Sequence, residues 1–354
     1  MPPRKIQRIV EDKNGYIWVK TIDRKLYVFN KVTECFHAVY DDMKNYSENI
    51  QVIKLQNTAE GDVLLLTKDK NLLLAGVDEK GQVTIKILFD SRDEINKHDY
   101  TLKHHVLCET EEYISWIGTD YKVSAVHKGA ELASRPADFI TSKINSGDKD
   151  SFTSFFEDGR KVWVGDRAGI FYSIDVRTGL VNRYVLSEIK GAISNLLVTP
   201  AGYVYLSVTG QGTYEYDLAE RRLQKINTEM NDAMVTHAFI DQYDKIWFHE
   251  NEKALIYYDP LNHTAKRFPF TMFGKITTLY SEDAGERGLF FLSPAGEAWL
   301  FDREHAEMVY INKLKQLSND RANQQFYHLM LDNDGVLWLS SADEGVYCMN
   351  FPKK

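Results

Sequence analysis

Glu11-Asp12-Lys13-Asn14-Gly15-Tyr16-Ile17-Trp18-Val19-Lys20-Thr21 recurs along the chain, and its recurrence decides the fold. It lines up with Glu157-Asp158-Gly159-Arg160-Lys161-Val162-Trp163-Val164, with Asp241-Gln242-Tyr243-Asp244-Lys245-Ile246-Trp247-Phe248, and with Asp332-Asn333-Asp334-Gly335-Val336-Leu337-Trp338-Leu339. Weaker copies follow from the glycine: Gly61 leads Leu64, Gly202 leads Tyr205 and Gly288 leads Phe291 by the three positions that separate Gly15 from Trp18. Trp116 adds another, so the anchors are residues 18, 64, 116, 163, 205, 247, 291 and 338. Twelve positions after an anchor stand Asn30, Asp175, Asp217, Asp259 and Asn350, each closing an apolar or aromatic run. A period of roughly 45 residues with several short strands per copy is the pattern of propeller blades.

One unit reads as four antiparallel strands. Residues 5–10 and 16–21 flank an Asn-Gly hairpin turn, residues 25–29 follow Asp23-Arg24, and residues 33–40 form the last strand. Such a meander exposes two apolar faces, which stacking of copies buries. One indole per blade spans the gap between neighbouring sheets and buries roughly 150–250 Å². The expected fold is all-β: a β-propeller of four-stranded antiparallel blades, with seven or eight blade-like units and an incomplete last one. Polar stretches such as 41–48 and 142–150 separate the units, with no linker rich in Pro or Ser, so residues 1–354 read as a single propeller domain. The last copy ends shortly after its third strand, and about five residues precede the first strand. The expectation is a segment of a larger protein.

The formal charge of −8 and the absence of a basic stripe argue against nucleic acid as a partner. No run approaches the roughly 18–20 apolar residues that span a bilayer, and Met1-Pro2-Pro3-Arg4-Lys5 leads into a strand pattern without an apolar signal core. Cys35, Cys108 and Cys348 fall in different repeats, and their odd number excludes a disulfide framework that uses them all.

The repeat Glu-Asp-x-x-Gly-x-Ile-Trp-Val-x-Thr, followed by Leu26-Tyr27-x-Phe29-Asn30-x-x-Thr33-x-x-Phe36, resembles the two-component regulator propeller repeat of hybrid two-component systems of gut Bacteroidetes. The resemblance covers essentially the whole chain, strongest in units one, four, six and eight. It implies a periplasmic sensor that detects glycan-derived oligosaccharides. It also implies neighbouring propeller and β-sandwich modules, a homodimeric full-length receptor and a histidine kinase beyond the membrane. No ligand motif of the family maps onto individual residues here.

The residues offer little catalytic chemistry. Asp332-Asn333-Asp334-Gly335 begins like a calcium loop but lacks the twelfth-position acid, and reads as a hairpin turn. Gly210-Gln211-Gly212 leads into a strand rather than a helix, against a dinucleotide fingerprint. His104, His105, Cys108 and Glu109 alternate between strand faces, which splits them into pairs too small for a structural zinc site. No catalytic residue, metal or cofactor is expected. Ligand contacts are expected from loops, chiefly between second and third strands: Asp23, Arg24, Tyr121, Asp166, Arg167, His249 and Glu250. The rival readings are a propeller lyase or hydrolase, which needs a convergent acid and base, and a protein-interaction scaffold.

Overall fold

The computed structural model describes residues 5–39, 51–68, 71–89, 107–117, 123–129, 137–139, 152–226, 235–273, 279–283, 288–313, 326–341 and 345–350. The protein is an all-β propeller. Its described residues form eight antiparallel sheets, each a meander, seven of four strands and the last of three. The count is therefore eight blades rather than seven, and the short final copy lies where the repeat placed it. In blade 1 the strands are Ile6–Glu11, Ile17–Thr21, Leu26–Asn30 and Cys35–Ala38, each within a few residues of the expected bounds. Among the described residues no helix is long and apolar enough to cross a membrane.

The chain packs as two compact units, one holding blades 1, 2, 7 and 8 and the other blades 3 to 6. In the first unit the innermost strand of blade 1 lies against those of blades 8 and 2, and the innermost strand of blade 7 lies against that of blade 8. In the second unit blades 3, 4, 5 and 6 follow one another in the same way. Trp18 packs into a core shared with blade 2 through Val52, Leu55, Val63, Leu65 and Leu73. Trp163 does the same with blade 5, and Trp338 with Ile6, Ile9 and Ile17 of blade 1. These indoles are almost wholly buried. At about 25 cal/mol per Å², each contributes roughly 4–6 kcal/mol before the entropy of ordering is subtracted.

The repeated aspartate explains why the indole is tolerated in the interior. Asp12 accepts hydrogen bonds at Oδ1 from the Asn14 and Tyr16 amides, at 2.9 and 3.0 Å, and at Oδ2 from Trp18 Nε1 at 2.8 Å. Oδ2 of Asp158, Asp241 and Asp332 accepts the indole N–H of Trp163, Trp247 and Trp338 at 2.7, 3.3 and 2.7 Å. One carboxylate thus builds the hairpin turn and satisfies a buried donor that would otherwise be costly. Where the anchor has no N–H, a hydroxyl suffices: Thr58 precedes Leu64 and accepts the Asp62 amide, and Thr199 precedes Tyr205 and accepts the Tyr203 amide. Gly15, Gly61, Gly202 and Gly335 take positive φ three positions before their anchors, and Asp244 takes that conformation before Trp247. Asn30, Asp175 and Asp217 each cap the turn after the third strand by accepting two amides.

Six blades share a register shift one residue into the innermost strand, which places Arg8, Lys54, Ser154, Asn195, His237 and His328 at equivalent positions just past it. A bulge there adds local twist to each of these strands.

Candidate functional site

The loop residues expected to meet a ligand have separate environments. Asp23 and Arg24 are exposed in the turn after the second strand of blade 1; Asp23 pairs with Lys25 at 3.1 Å, and Arg24 has a φ of 67°. Asp166 ends the second strand of blade 4, buried, and accepts the Ala168 and Ile170 amides at 2.9 and 2.8 Å; burial raises its pKa. Arg167 beside it is exposed. His249 stands opposite His237 across blade 6, its ring 5.0 Å from Phe270 and its Nε2 buried without a partner. Burial, with repulsion from His237, pushes its pKa down to about 4, so the imidazole is neutral. Glu250 is buried and held by Arg267 at 2.9 Å. Tyr121, His104 and His105 lie outside the described residues. Among the described residues no hydrogen bond or ion pair joins one of these expected loops to another.

Two features are brought together by tertiary structure. The first is a cleft of about 350 Å³ between blades 5 and 6, lined by Tyr203, Tyr205, Glu215, Arg222, Tyr243 and His263, with Lys245 and the exposed Leu261 at its edge. It lies at the turns between first and second and between third and fourth strands, the opposite end of these blades from Asp166 and His249. Tyr205 donates to Glu215 at 2.7 Å, and burial followed by that hydrogen bond raises the phenol's pKa far above its usual value. Tyr258 pairs with His263 Nδ1 at 3.1 Å and packs edge-on against Tyr205 at 6.1 Å. Lys245 is held by Asp259 at 2.7 Å, while Arg222 has no side-chain hydrogen bond or ion pair among the described residues. The half-exposed ring of Tyr243 stands beside this fork of donors. The signal in the sequence was Tyr243 in the turn before Trp247, where the other repeats carry a small, polar or charged residue such as Asn14, Gly159 or Asp334.

The second is a cleft, also of about 350 Å³, at the innermost strands of the first unit, lined by Arg8, Glu11, Lys13, Asn57, Glu282, His328 and Asn333 among others. Beside it the hairpin Asp332–Gly335 is the expected turn, and its carboxylates are occupied. Oxygens of Glu11, Asp332 and Asp334 lie within 4.8 Å of one another. The Lys31 ammonium sits among them at 2.8, 3.0 and 2.6 Å. Burial pulls the pKa of Lys31 down, but hydrogen bonds to Asp334, Glu11 and Asp332 outweigh it and hold the pKa above its ordinary value. Asn333 N also donates to Glu11 at 2.7 Å, so blades 8 and 1 are clasped by charge as well as by packing.

Neither a protein family profile nor a curated protein matches the sequence. Solved structures do. The chain is similar in fold to the extracellular domain of the putative one component system BT4673 from B. thetaiotaomicron. That match has 15% identity and a TM-score of 0.50, and covers 99% of this chain and 54% of that one. The chain thus spans about half the length of that relative. Another structure of the BT4673 extracellular domain, described as belonging to a putative hybrid two component system, matches at 14% identity and a TM-score of 0.49, over 98% of this chain and 52% of the other. BamB from Moraxella catarrhalis matches at 10% identity and a TM-score of 0.55, over 100% and 97%. What is shared at these identities is the propeller.

Proposed function

We propose that this chain is a noncatalytic, extracytoplasmic sensor propeller that binds an oligosaccharide in the cleft between blades 5 and 6. The observation that carries the reading is the juxtaposition there of the half-exposed Tyr243 ring, Tyr203 and the unpaired Arg222 guanidinium. A sugar presents an apolar ring face to an aromatic and hydroxyls to planar donors, and this cleft offers both. The repeat's resemblance to two-component regulator propellers, and the fold shared with the extracellular domain of a putative one component system from B. thetaiotaomicron, support a signalling role over a scaffold role. In this reading residues 1–354 act as one sensor segment in the periplasm. They lie beside further propeller and β-sandwich modules of a dimeric receptor that controls a histidine kinase. Occupancy signals only if the ligand has different affinity for the two states of that receptor.

The test is a thermal-shift screen against defined neutral oligosaccharides. A ligand at 100 times its dissociation constant stabilises the folded chain by about 2.7 kcal/mol. The expected result is a shift with one oligosaccharide class that Tyr243→Ala abolishes without lowering the unliganded Tm. A shift that survives both Tyr243→Ala and Arg222→Gln refutes this site.

A further inference from the structure

The cleft at the innermost strands of blades 7, 8, 1 and 2 is lined by an arginine, Arg8, that has no ion-pair partner among the described residues. Arg8 reaches solvent, yet it is surrounded by enough protein that burial lowers its pKa against the opposing pull of Glu282. It makes no side-chain hydrogen bond or ion pair among the described residues. Lys20 lies opposite Arg8 in the strand register and is buried; its ammonium donates to Gln7, a neutral group. Burial, then repulsion from Arg24 and Arg8, brings the Lys20 pKa down to about 8. Against these two cations stands Glu282, which accepts the Leu331 amide at 3.2 Å. Burial pushes its pKa up to about 7 despite that bond and Arg8. His328, with Nδ1 buried and unpartnered, is held neutral by burial, its pKa near 3. The cleft's remaining charges are spoken for, Lys13 by Asp62 at 2.9 Å, Glu11 by Lys31, and Asp12 by the Trp18 indole and the Asn14 and Tyr16 amides.

A solvent-reaching guanidinium with no hydrogen-bonded or ion-paired partner among the described residues, beside a buried lysine bonded only to a neutral amide, is a ready receptor for an anion. A general-base role fits less well, because the free nitrogen of His328 is closed to solvent and so to a reacting atom.

We infer that this cleft is a second ligand site, independent of the aromatic cleft, which takes a small carboxylate in a bidentate pair with Arg8. The carboxylate belongs either to an acidic sugar or to a free organic acid. When it enters, Glu282 takes a proton from solvent and becomes a hydrogen-bond donor rather than a second negative charge. Of the other groups around Glu282, Arg8 stays charged and His328 stays neutral, while Asp283, next on its strand, is tied to Arg303 at 2.8 Å. Binding therefore weakens as pH rises through about 7, and further as Lys20 loses its charge near 8.

Isothermal titration of the chain with glucuronate, lactate and glucose, at pH 6 and 8, tests the inference. Glucuronate is expected to bind at pH 6 with proton uptake, seen as a dependence of the heat on buffer ionisation enthalpy, and at least about tenfold more weakly at pH 8. Lactate binding equally well assigns the site to free acids; binding of glucuronate alone assigns it to acidic sugars. Arg8→Gln, an accessible position, should remove binding, and Glu282→Gln should raise affinity at pH 8 toward its pH 6 level, leaving only the part of the pH dependence that Lys20 supplies. Heats as large with glucose as with glucuronate, no heat with either acid, or unchanged binding in Arg8→Gln would overturn it. Each of these outcomes is separate from the fate of the Tyr243 cleft.

Discussion

Replacing Lys31 with Met removes the cation from the clasp between blades 8 and 1 while keeping the side chain's apolar length. The Asp332 side chain is fully buried and that of Glu11 nearly so, whereas Asp334 is 71% exposed. Two enclosed carboxylates would then face each other without their ammonium. Taking one partner from a buried pair costs about 3–5 kcal/mol, and Lys31's own partial exposure argues for the lower end, about 3 kcal/mol. The exposed Asp334 adds little. Spread over the unfolding entropy of a chain this long, that lowers Tm by about 4 °C. The sign with pH follows from the shifts. Burial raises the pKa of Asp332, but hydrogen bonds from Trp338, Val336 N and Lys31 outweigh it and leave the pKa depressed. Its contribution is present above the unfolded value, about 3.9, and is lost as pH falls through the folded value. Lys31's pKa is raised, so its contribution is present below about 10.4 and is lost as pH rises through its folded value. Scanning calorimetry of wild type and Lys31→Met should therefore show a deficit that is full at pH 7 and narrows below about pH 4. A variant Tm within about 1 °C of wild type at pH 7, or a deficit that ignores pH, refutes the reasoning.

Three further outcomes are expected. With Lys31→Ala the vacated carboxylates should accept a cation, so millimolar calcium should recover part of the lost Tm in the variant and none in wild type; equal calcium response in both would show that the trio is not the site. Asp12→Ala strips acceptors from Asn14 N, Tyr16 N and Trp18 Nε1, and should cost about 2–4 kcal/mol by denaturant midpoint, whereas Asp12→Asn should recover part of it. Because the pKa of His249 is pushed down to about 4, the unfolded chain takes up its proton first as pH falls below about 6.5, and stability drops between those values. His249→Phe should flatten that slope in urea titrations, and an unchanged slope would place the acid sensitivity elsewhere.

The blades were legible because each is a local object. A turn glycine, an aspartate and an indole within seven residues specify a hairpin, and Asn30 or Asp175 specifies the next, whatever lies beyond. Even the eighth, short blade could be placed from Trp338. The indole's hydrogen bond to its aspartate was present in the spacing, and it was missed because a turn residue needs no further explanation. The candidate sites were harder. His249 and Glu250 end the second strand of blade 6 rather than sitting in the loop after it, and their surroundings, Phe270, His237 and Arg267, come from the first and last strands of the blade and the short helix that follows it. Arg8 and His328 occupy the same place in their repeats, which the sequence records, but Glu282 meets them from a different place in blade 7. Tyr203, Arg222 and Tyr243 become one cleft only when blade 5 packs on blade 6.

The sequence alone determined the all-β repeat, the blade boundaries and the anchors, because hairpin chemistry and strand alternation act over a few residues. Tertiary structure alone decided which charges are compensated and which are not. Lys20 lies in the second strand of blade 1 and Lys31 in the turn after its third; packing against blade 8 adds Asp332 and Asp334 to Glu11 around Lys31, while Lys20 stays beside Arg8. Electrostatic free energy depends on distance through space and on exclusion of water, and neither is written in the order of residues.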